Sequence, residues 1–168
     1  MKAKRIIAIV LAIYGLVFWP LPAHATPITI QIEAVVDSVQ DHGNYLEGQI
    51  NPGDVITGWY TYESTTPDSN PTNPIVGDYY HYSPPSGVSL TVGSFEFKTD
   101  PTNIYFHIGV ENHEPSGNDS YWFSSNNNVP LSNGTLVDGI TWQLDDPTGN
   151  ALSSDALPTT APFLEDWQ

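Results

Sequence analysis

Apolar and polar residues alternate along much of the chain, which predicts β-strands. Over residues 28–36, ITIQIEAVV, the side chains of Ile28, Ile30 and Ile32 share one face, and polar side chains occupy the other. A period of two residues is that of a half-buried strand. By the same pattern, further strands are predicted over residues 53–63, 77–82, 87–97, 103–111, 120–125 and 139–146, and a turn followed by a strand is predicted over residues 42–50.

Turn residues separate these predicted strands. Residues 51–53, NPG, are a strong turn signal, and the proline-rich segment 64–74 is a predicted surface loop. Within 87–97 the apolar residues change parity around Gly93-Ser94, which predicts a two-residue hairpin. No window keeps an apolar stripe of helical period for three turns. The chain is therefore predicted to be an antiparallel β-sandwich of jelly-roll type with about eight strands.

The first 25 residues are predicted to be a signal peptide. The basic stretch KAKR at residues 2–5 is followed by an apolar run at 6–19, and AHA at 23–25 supplies a cleavage pattern. The apolar run is shorter than the roughly 20 residues that span a bilayer. We therefore expect a secreted protein, located outside the cell, at its surface or in the periplasm, with a single domain over 26–168 and no membrane attachment once the signal is removed.

The net charge of the chain limits the classes of partner that it is expected to bind. Outside the predicted signal peptide, Lys98 is the only Lys or Arg, whereas all 19 acidic residues remain. Such a surface repels phosphate backbones and anionic lipid headgroups, which excludes nucleic acids and membrane surfaces as expected partners. The acidity also keeps an exported protein soluble. The chain has no Cys, so neither a disulfide nor a thiolate contributes, and stability must come from a core.

The segment DDPTGNALSSD offers hard oxygen ligands of the kind that calcium prefers. It does not match an EF-hand loop, and the alternative is a strand end followed by a solvated turn. Calcium is the one candidate cofactor. The candidate calcium ligands are Asp145, Asp146, Asn150 and Asp155.

Residues 53–63, GDVITGWYTYE, place aromatic side chains on both faces of one predicted strand. Tyr60 and Tyr62 fall on the face of Ile56, so we expect them in the core, which large rings fill efficiently. Trp59 falls on the opposite face, either covered by a loop or exposed. A candidate platform for carbohydrate stacking consists of Trp59, Tyr79, Tyr80 and Tyr82.

Catalytic signatures are weak. A glycoside hydrolase needs two carboxylates across a cleft, and with 19 acidic residues such pairs arise by chance. His107, Glu111 and His113 are candidate zinc ligands. The favoured interpretation is that these histidines are exposed on a strand and bind no metal. There is no nucleophile elbow, P-loop or dinucleotide fingerprint. The sequence leaves enzymatic activity open and favours its absence.

Several segments carry a resemblance to a known group: the signal peptide, then ATPITIQIEAVV, GDVITGWYTYESTTPDSNP, SPPSGVSLTVGSFEF and a polar aromatic strand. Over about residues 20–144 the chain resembles exported proteins of Gram-negative bacteria that carry a PEP-CTERM sorting tail. The resemblance implies a surface or extracellular-matrix protein and brings no known activity or catalytic residues. In that group one or two more strands, a Pro-Glu-Pro motif, a transmembrane helix and a basic end typically follow.

The last segment, 151–168, is loop-like and contains neither a closing strand nor that tail. A sandwich usually pairs its terminal strand, because an open edge invites aggregation. We expect either a loop packed by Phe163 and Trp167 or a reading frame that is truncated or diverged.

These features favour an exported, non-enzymatic structural or interaction protein of the cell surface or extracellular matrix. The first alternative is a carbohydrate-binding module, with or without calcium. The second is a secreted glycoside hydrolase or lyase. Extracellular polysaccharide and other surface proteins are the expected partners.

Overall fold

A computed structural model describes residues 26–113 and 117–167. The predicted signal peptide lies outside the described residues. Within them, one turn of 3-10 helix spans Leu164–Asp166, and no helix is long and apolar enough to cross a membrane. The strands are β1 (Pro27–Val35), β2 (Val55–Glu63), β3 (Val76–His81), β4 (Gly87–Val92), β5 (Phe95–Lys98), β6 (Phe106–Glu111), β7 (Asp119–Ser125) and β8 (Ile140–Asp146).

The eight strands form two antiparallel sheets. Sheet A has the order β1-β2-β4-β5, and sheet B has the order β3-β6-β7-β8. The predicted all-β fold with two antiparallel sheets and about eight strands is confirmed. Strands that are consecutive in sequence are neighbours in four of the six pairings.

Alternation along each strand builds the core between the sheets. Tyr60 and Tyr62 of β2 are fully buried, as predicted. The hydroxyl groups of Tyr60 and Tyr121 lie 3.0 Å apart and link sheet A to sheet B. Burial raises the pKa of Tyr62 to about 12 and the pKa values of Tyr60 and Tyr121 well above their usual range, so all three stay neutral. The other large, fully buried apolar side chains are Phe106, Ile108, Val110 and Phe123.

The strand predicted over residues 42–50 is wrong, because this segment is a series of turns. The carboxylate of Asp41 accepts hydrogen bonds from the backbone N–H groups of Tyr45 and Leu46, at 2.8 and 2.7 Å. Asn44 and Glu47 adopt positive φ angles of 53° and 54°, which a strand does not allow. The apolar residues that suggested a strand, Leu46 and Ile50, instead pack into a second small core with Val92, Phe95 and Leu131.

The C-terminal segment packs against the sandwich without adding a strand to the described sheets. The hydroxyl groups of Tyr62 and Tyr79 donate to the backbone carbonyls of Pro158 and Asp155, at 2.7 and 2.9 Å. Trp167 packs against the main core, whereas Phe163 is 77% exposed. Over residues 151–167 the chain forms loops and one turn of 3-10 helix.

Candidate functional site

The outer face of sheet B carries a layer of rings that we call the aromatic face. Its members are the side chains that alternate away from the core on β3, β6 and β7, together with two rings next to these strands. Tyr80 lies directly opposite His107 across the β3–β6 pair. Gly109 lies opposite Trp122 across the β6–β7 pair. The aromatic face consists of Tyr80, Tyr82, Tyr105, His107 and Trp122.

The rings of the aromatic face contact one another. Tyr80 stacks on His107, with ring centroids 3.9 Å apart and planes inclined by 11°. The rings of Tyr80 and Tyr82 are nearly parallel, at 6.4 Å and 7°. Tyr105 lies 5.7 Å from Tyr82 and 6.1 Å from Tyr80. Such ring pairs add about 0.5–1.5 kcal/mol each beyond the area they bury, so the layer is held in a defined shape.

Trp122 reaches this layer only because its cross-strand neighbour is a glycine. A Cβ atom on Gly109 would lie 2.3 Å from the indole ring of Trp122, so the indole covers the backbone of β6. The indole meets the His107 ring edge to face, at 4.6 Å and 83°. Its Nε1–H donates to a carboxylate oxygen of Glu111 at 3.3 Å. The Gly109 position therefore orients the largest ring of the aromatic face.

Within the aromatic face, the His107 ring contacts the rings of Tyr80 and Trp122 and bonds the carboxylate of Asp78. Its Nε2 atom lies 3.0 Å from Oδ1 of Asp78. A carboxylate oxygen only accepts, so Nε2 carries the proton of this hydrogen bond. Burial lowers the pKa of His107, while the hydrogen bond and charge of Asp78 act in the opposite direction. The backbone N–H of Asp78 donates to Asp68 at 2.9 Å, which fixes the strand that carries the carboxylate.

Carboxylates border the aromatic face. Asp78 and Glu111 each bond a ring of the layer, and each retains free acceptor capacity, because a carboxylate has about four lone-pair sites. A surface of this kind offers ring faces to an apolar surface and acceptors to hydroxyl groups. It disfavours anions through charge repulsion. Its chemistry suits an uncharged ligand with many hydroxyl groups.

The four residues of the predicted platform do not lie on one surface. Tyr80 and Tyr82 belong to the aromatic face, and Tyr82 is 64% exposed. Trp59 projects from the outer face of sheet A, where it is 52% exposed. Tyr79 is only 5% exposed and lies in the core, because β3 alternates between inward and outward residues.

Sequence reasoning left Tyr105, His107 and Trp122 out of the platform. The signal for them was present, since period two places Tyr105 and His107 outward in 103–111 and Trp122 outward between Tyr121 and Phe123. The pairing register that brings these rings beside Tyr80 is not encoded in any local pattern.

Two of the candidate calcium ligands, Asp145 and Asp146, lie on opposite faces of β8. Asp145 faces outward and accepts from the hydroxyl of Ser120 at 2.6 Å. Asp146 is buried, and its carboxylate accepts from Thr148, Asn150 and Ala151 in a tight turn. These hydrogen bonds, led by that of the Asn150 N–H, lower the pKa of Asp146. Over residues 26–113 and 117–167, no three His, Asp or Glu residues are grouped to hold a metal ion.

The same alternation separates Asp145 from Asp146 as a carboxylate pair, since the two side chains lie on opposite faces of β8. Among the candidate zinc ligands His107, Glu111 and His113, His107 and Glu111 lie on the same face of β6. Glu111 bonds Trp122 and His107 bonds Asp78, so both are occupied within the aromatic face.

Comparison with protein-family models, with curated proteins and with solved structures finds no match for this chain. The structural class of the protein is therefore defined by its own fold. It is an all-β sandwich of two four-stranded antiparallel sheets with an aromatic outer face.

Proposed function

We propose that this chain is an exported, non-enzymatic interaction protein of the cell surface or surrounding matrix, and that it binds neutral polysaccharide through the aromatic face. The observation that carries the proposal is the contact layer of Tyr80, Tyr82, Tyr105, His107 and Trp122 on an outer sheet surface. Export is supported by the predicted signal peptide.

Ligand class follows from the chemistry of that layer. A pyranose ring has an apolar face that stacks on an aromatic side chain, and hydroxyl groups around its edge that donate to acceptors. Tyr82 offers an exposed ring, and the carboxylates of Asp78 and Glu111 stand beside the layer. The acidic surface repels acidic polysaccharides, so a neutral one is the expected ligand.

A binding role accounts for the carboxylates better than hydrolysis does. A glycoside hydrolase needs one carboxylic acid and one carboxylate on opposite sides of the scissile bond. Asp78 is engaged by His107, and Glu111 is engaged by the indole of Trp122. Both carboxylates border a sheet surface and help to position its rings, which suits recognition.

The experiment is retention of the purified protein on a panel of insoluble neutral and acidic polysaccharides. Tyr82→Ala removes an exposed ring of the aromatic face, and we expect roughly tenfold weaker retention on the neutral polysaccharide that binds. Tyr45→Ala is the matched control, because Tyr45 is 61% exposed but lies in the loop 42–50. The control should bind like the original protein.

Two results would contradict the proposal. One is equal loss of retention in Tyr82→Ala and Tyr45→Ala, and the other is no retention on any neutral polysaccharide. Repeating the assay with calcium and with EDTA at matched ionic strength tests calcium dependence. We expect no difference, because the oxygen ligands that the sequence indicated do not converge around one point.

A further inference from the structure

A groove of about 310 Å³ is lined in part by residues from the outer face of sheet A, and none of its lining residues belongs to the aromatic face. Three residues of neighbouring strands form a row across it: Trp59 on β2 is opposite Ser89 on β4, and Ser89 is opposite Lys98 on β5. Pro84 and Pro85 also line the groove. The groove therefore has a ring on one side, a cation on the other and a proline wall.

The width of this groove follows from the sheet. Trp59 and Lys98 are two strands apart, and neighbouring strands are spaced by about 4.8 Å, so their backbones are separated by roughly 10 Å. The residue between them, Ser89, is small, and the position next to it, Gly87, has no side chain. This spacing leaves room for one sugar ring beside the indole, which is 52% exposed.

Beside Lys98, which lines the groove, Glu96 provides an acceptor on the same face of β5. Lys98 Nζ donates to Glu96 Oε2 at 2.6 Å, and the hydroxyl of Ser89 donates to the other carboxylate oxygen at 3.3 Å. The pair has no net charge, so it neither attracts nor repels an ion strongly. Two adjacent hydroxyl groups of a sugar can accept from the ammonium and donate to the carboxylate.

We propose that this groove is a second sugar site, which takes a single neutral pyranose unit. The apolar face of the sugar stacks on Trp59, and hydroxyl groups at the edge of the sugar accept from Lys98 and donate to Glu96 beside it. The ligand class rests on the proposed function, but the site shares no residue with the aromatic face. With both sites occupied, a single molecule bridges two polysaccharide chains, and binding tightens where both sites engage one linked matrix.

The experiment titrates the purified protein with short neutral oligosaccharides and with an oligouronate, measured by calorimetry. Trp59→Ala should weaken neutral-sugar binding at this site roughly tenfold. Val55→Ala is the matched control, because Val55 has the same exposure on the same face of β2 but does not line the groove. Tyr82→Ala should weaken the aromatic-face site roughly tenfold and leave the groove site intact.

Each outcome separates the two sites. If Tyr82→Ala abolishes all binding and Trp59→Ala changes nothing, the groove proposal is overturned while the proposed function stands. If Trp59→Ala abolishes binding and Tyr82→Ala changes nothing, the groove is supported and the aromatic face is overturned. A groove that binds the oligouronate more tightly than the neutral sugar would also overturn the assignment, because Lys98 would then act as a free cation.

Discussion

Neighbouring residues of the same type have different environments on the two faces of each sheet. Tyr79 is in the core and bonds a backbone carbonyl, whereas Tyr80 stacks on His107 at the surface. Asp146 is buried in a turn, whereas Asp145 faces solvent. Period two decides which side a residue occupies, and the inner side determines stability. The pairing of strands determines which outer residues lie next to one another. It therefore determines where a ligand can bind.

The largest expected effect contrasts Tyr60 with Trp59. Tyr60→Ala leaves a cavity between the sheets and removes the partner of the Tyr121 hydroxyl, so the free energy of unfolding should fall by about 3–5 kcal/mol. Trp59→Ala removes a half-exposed ring, and its effect should stay below about 1 kcal/mol. Urea denaturation of both variants measures the difference, and equal losses would show that the inner and outer faces are wrongly assigned.

A second contrast compares Asp146 with Asp145. Asp146→Asn places an amide donor among the N–H and O–H donors of Thr148, Asn150 and Ala151, so the melting temperature should fall clearly. Asp145→Asn should have little effect, because its side chain is exposed. Thermal melts followed by circular dichroism test this prediction. Similar melting temperatures for the two variants would contradict the turn geometry.

Gly109→Ala tests the construction of the aromatic face. The added methyl group would meet the indole of Trp122, which has to move, and we expect a stability loss of roughly 1–3 kcal/mol together with weaker polysaccharide retention. Gly139→Ala is the matched control, because the nearest atom to its added Cβ would be 4.0 Å away. Unchanged retention in Gly109→Ala would mean that the position of Trp122 does not matter for binding.

The smallest expected effect is a dependence of stability on pH. Burial lowers the pKa values of His81 and His107 in the folded state below the usual 6.5. As pH falls below about 6.5, the unfolded chain therefore takes up protons before the folded chain does, and the free energy of unfolding decreases. The loss continues until the folded-state pKa values are passed. Urea titrations at pH 7.5 and 5.5 measure it, and His107→Gln should reduce the difference; a rise in stability on acidification would contradict the burial of these rings.

Much of the fold follows from local patterns. The alternation in 28–36, 53–63 and 103–111 predicts strands that the structure contains, and the Gly93-Ser94 hairpin is present, with Gly93 at a φ of 58°. The strand predicted within 42–50 is wrong because the Asp41 carboxylate accepts hydrogen bonds from the backbone N–H groups of Tyr45 and Leu46, which favours turns over a strand.

The candidate site was less accessible to sequence reasoning. Period two correctly separates Tyr60 from Trp59, but the platform combined Trp59 with Tyr80, which project from different sheets. Strand pairing between distant segments determines such proximity, and no local pattern carries it. The Gly109–Trp122 contact is another example, since it depends on the register of β6 and β7.

The most direct test of the central claim follows the indole N–H signals of the tryptophans in a nitrogen-15 correlation spectrum while a neutral oligosaccharide is added. Trp122 lies in the aromatic face, whereas Trp142 and Trp167 pack against the core. We predict that the Trp122 signal shifts progressively to saturation and that the Trp142 and Trp167 signals stay in place. A saturating ligand that leaves the Trp122 signal unmoved would contradict binding at the aromatic face.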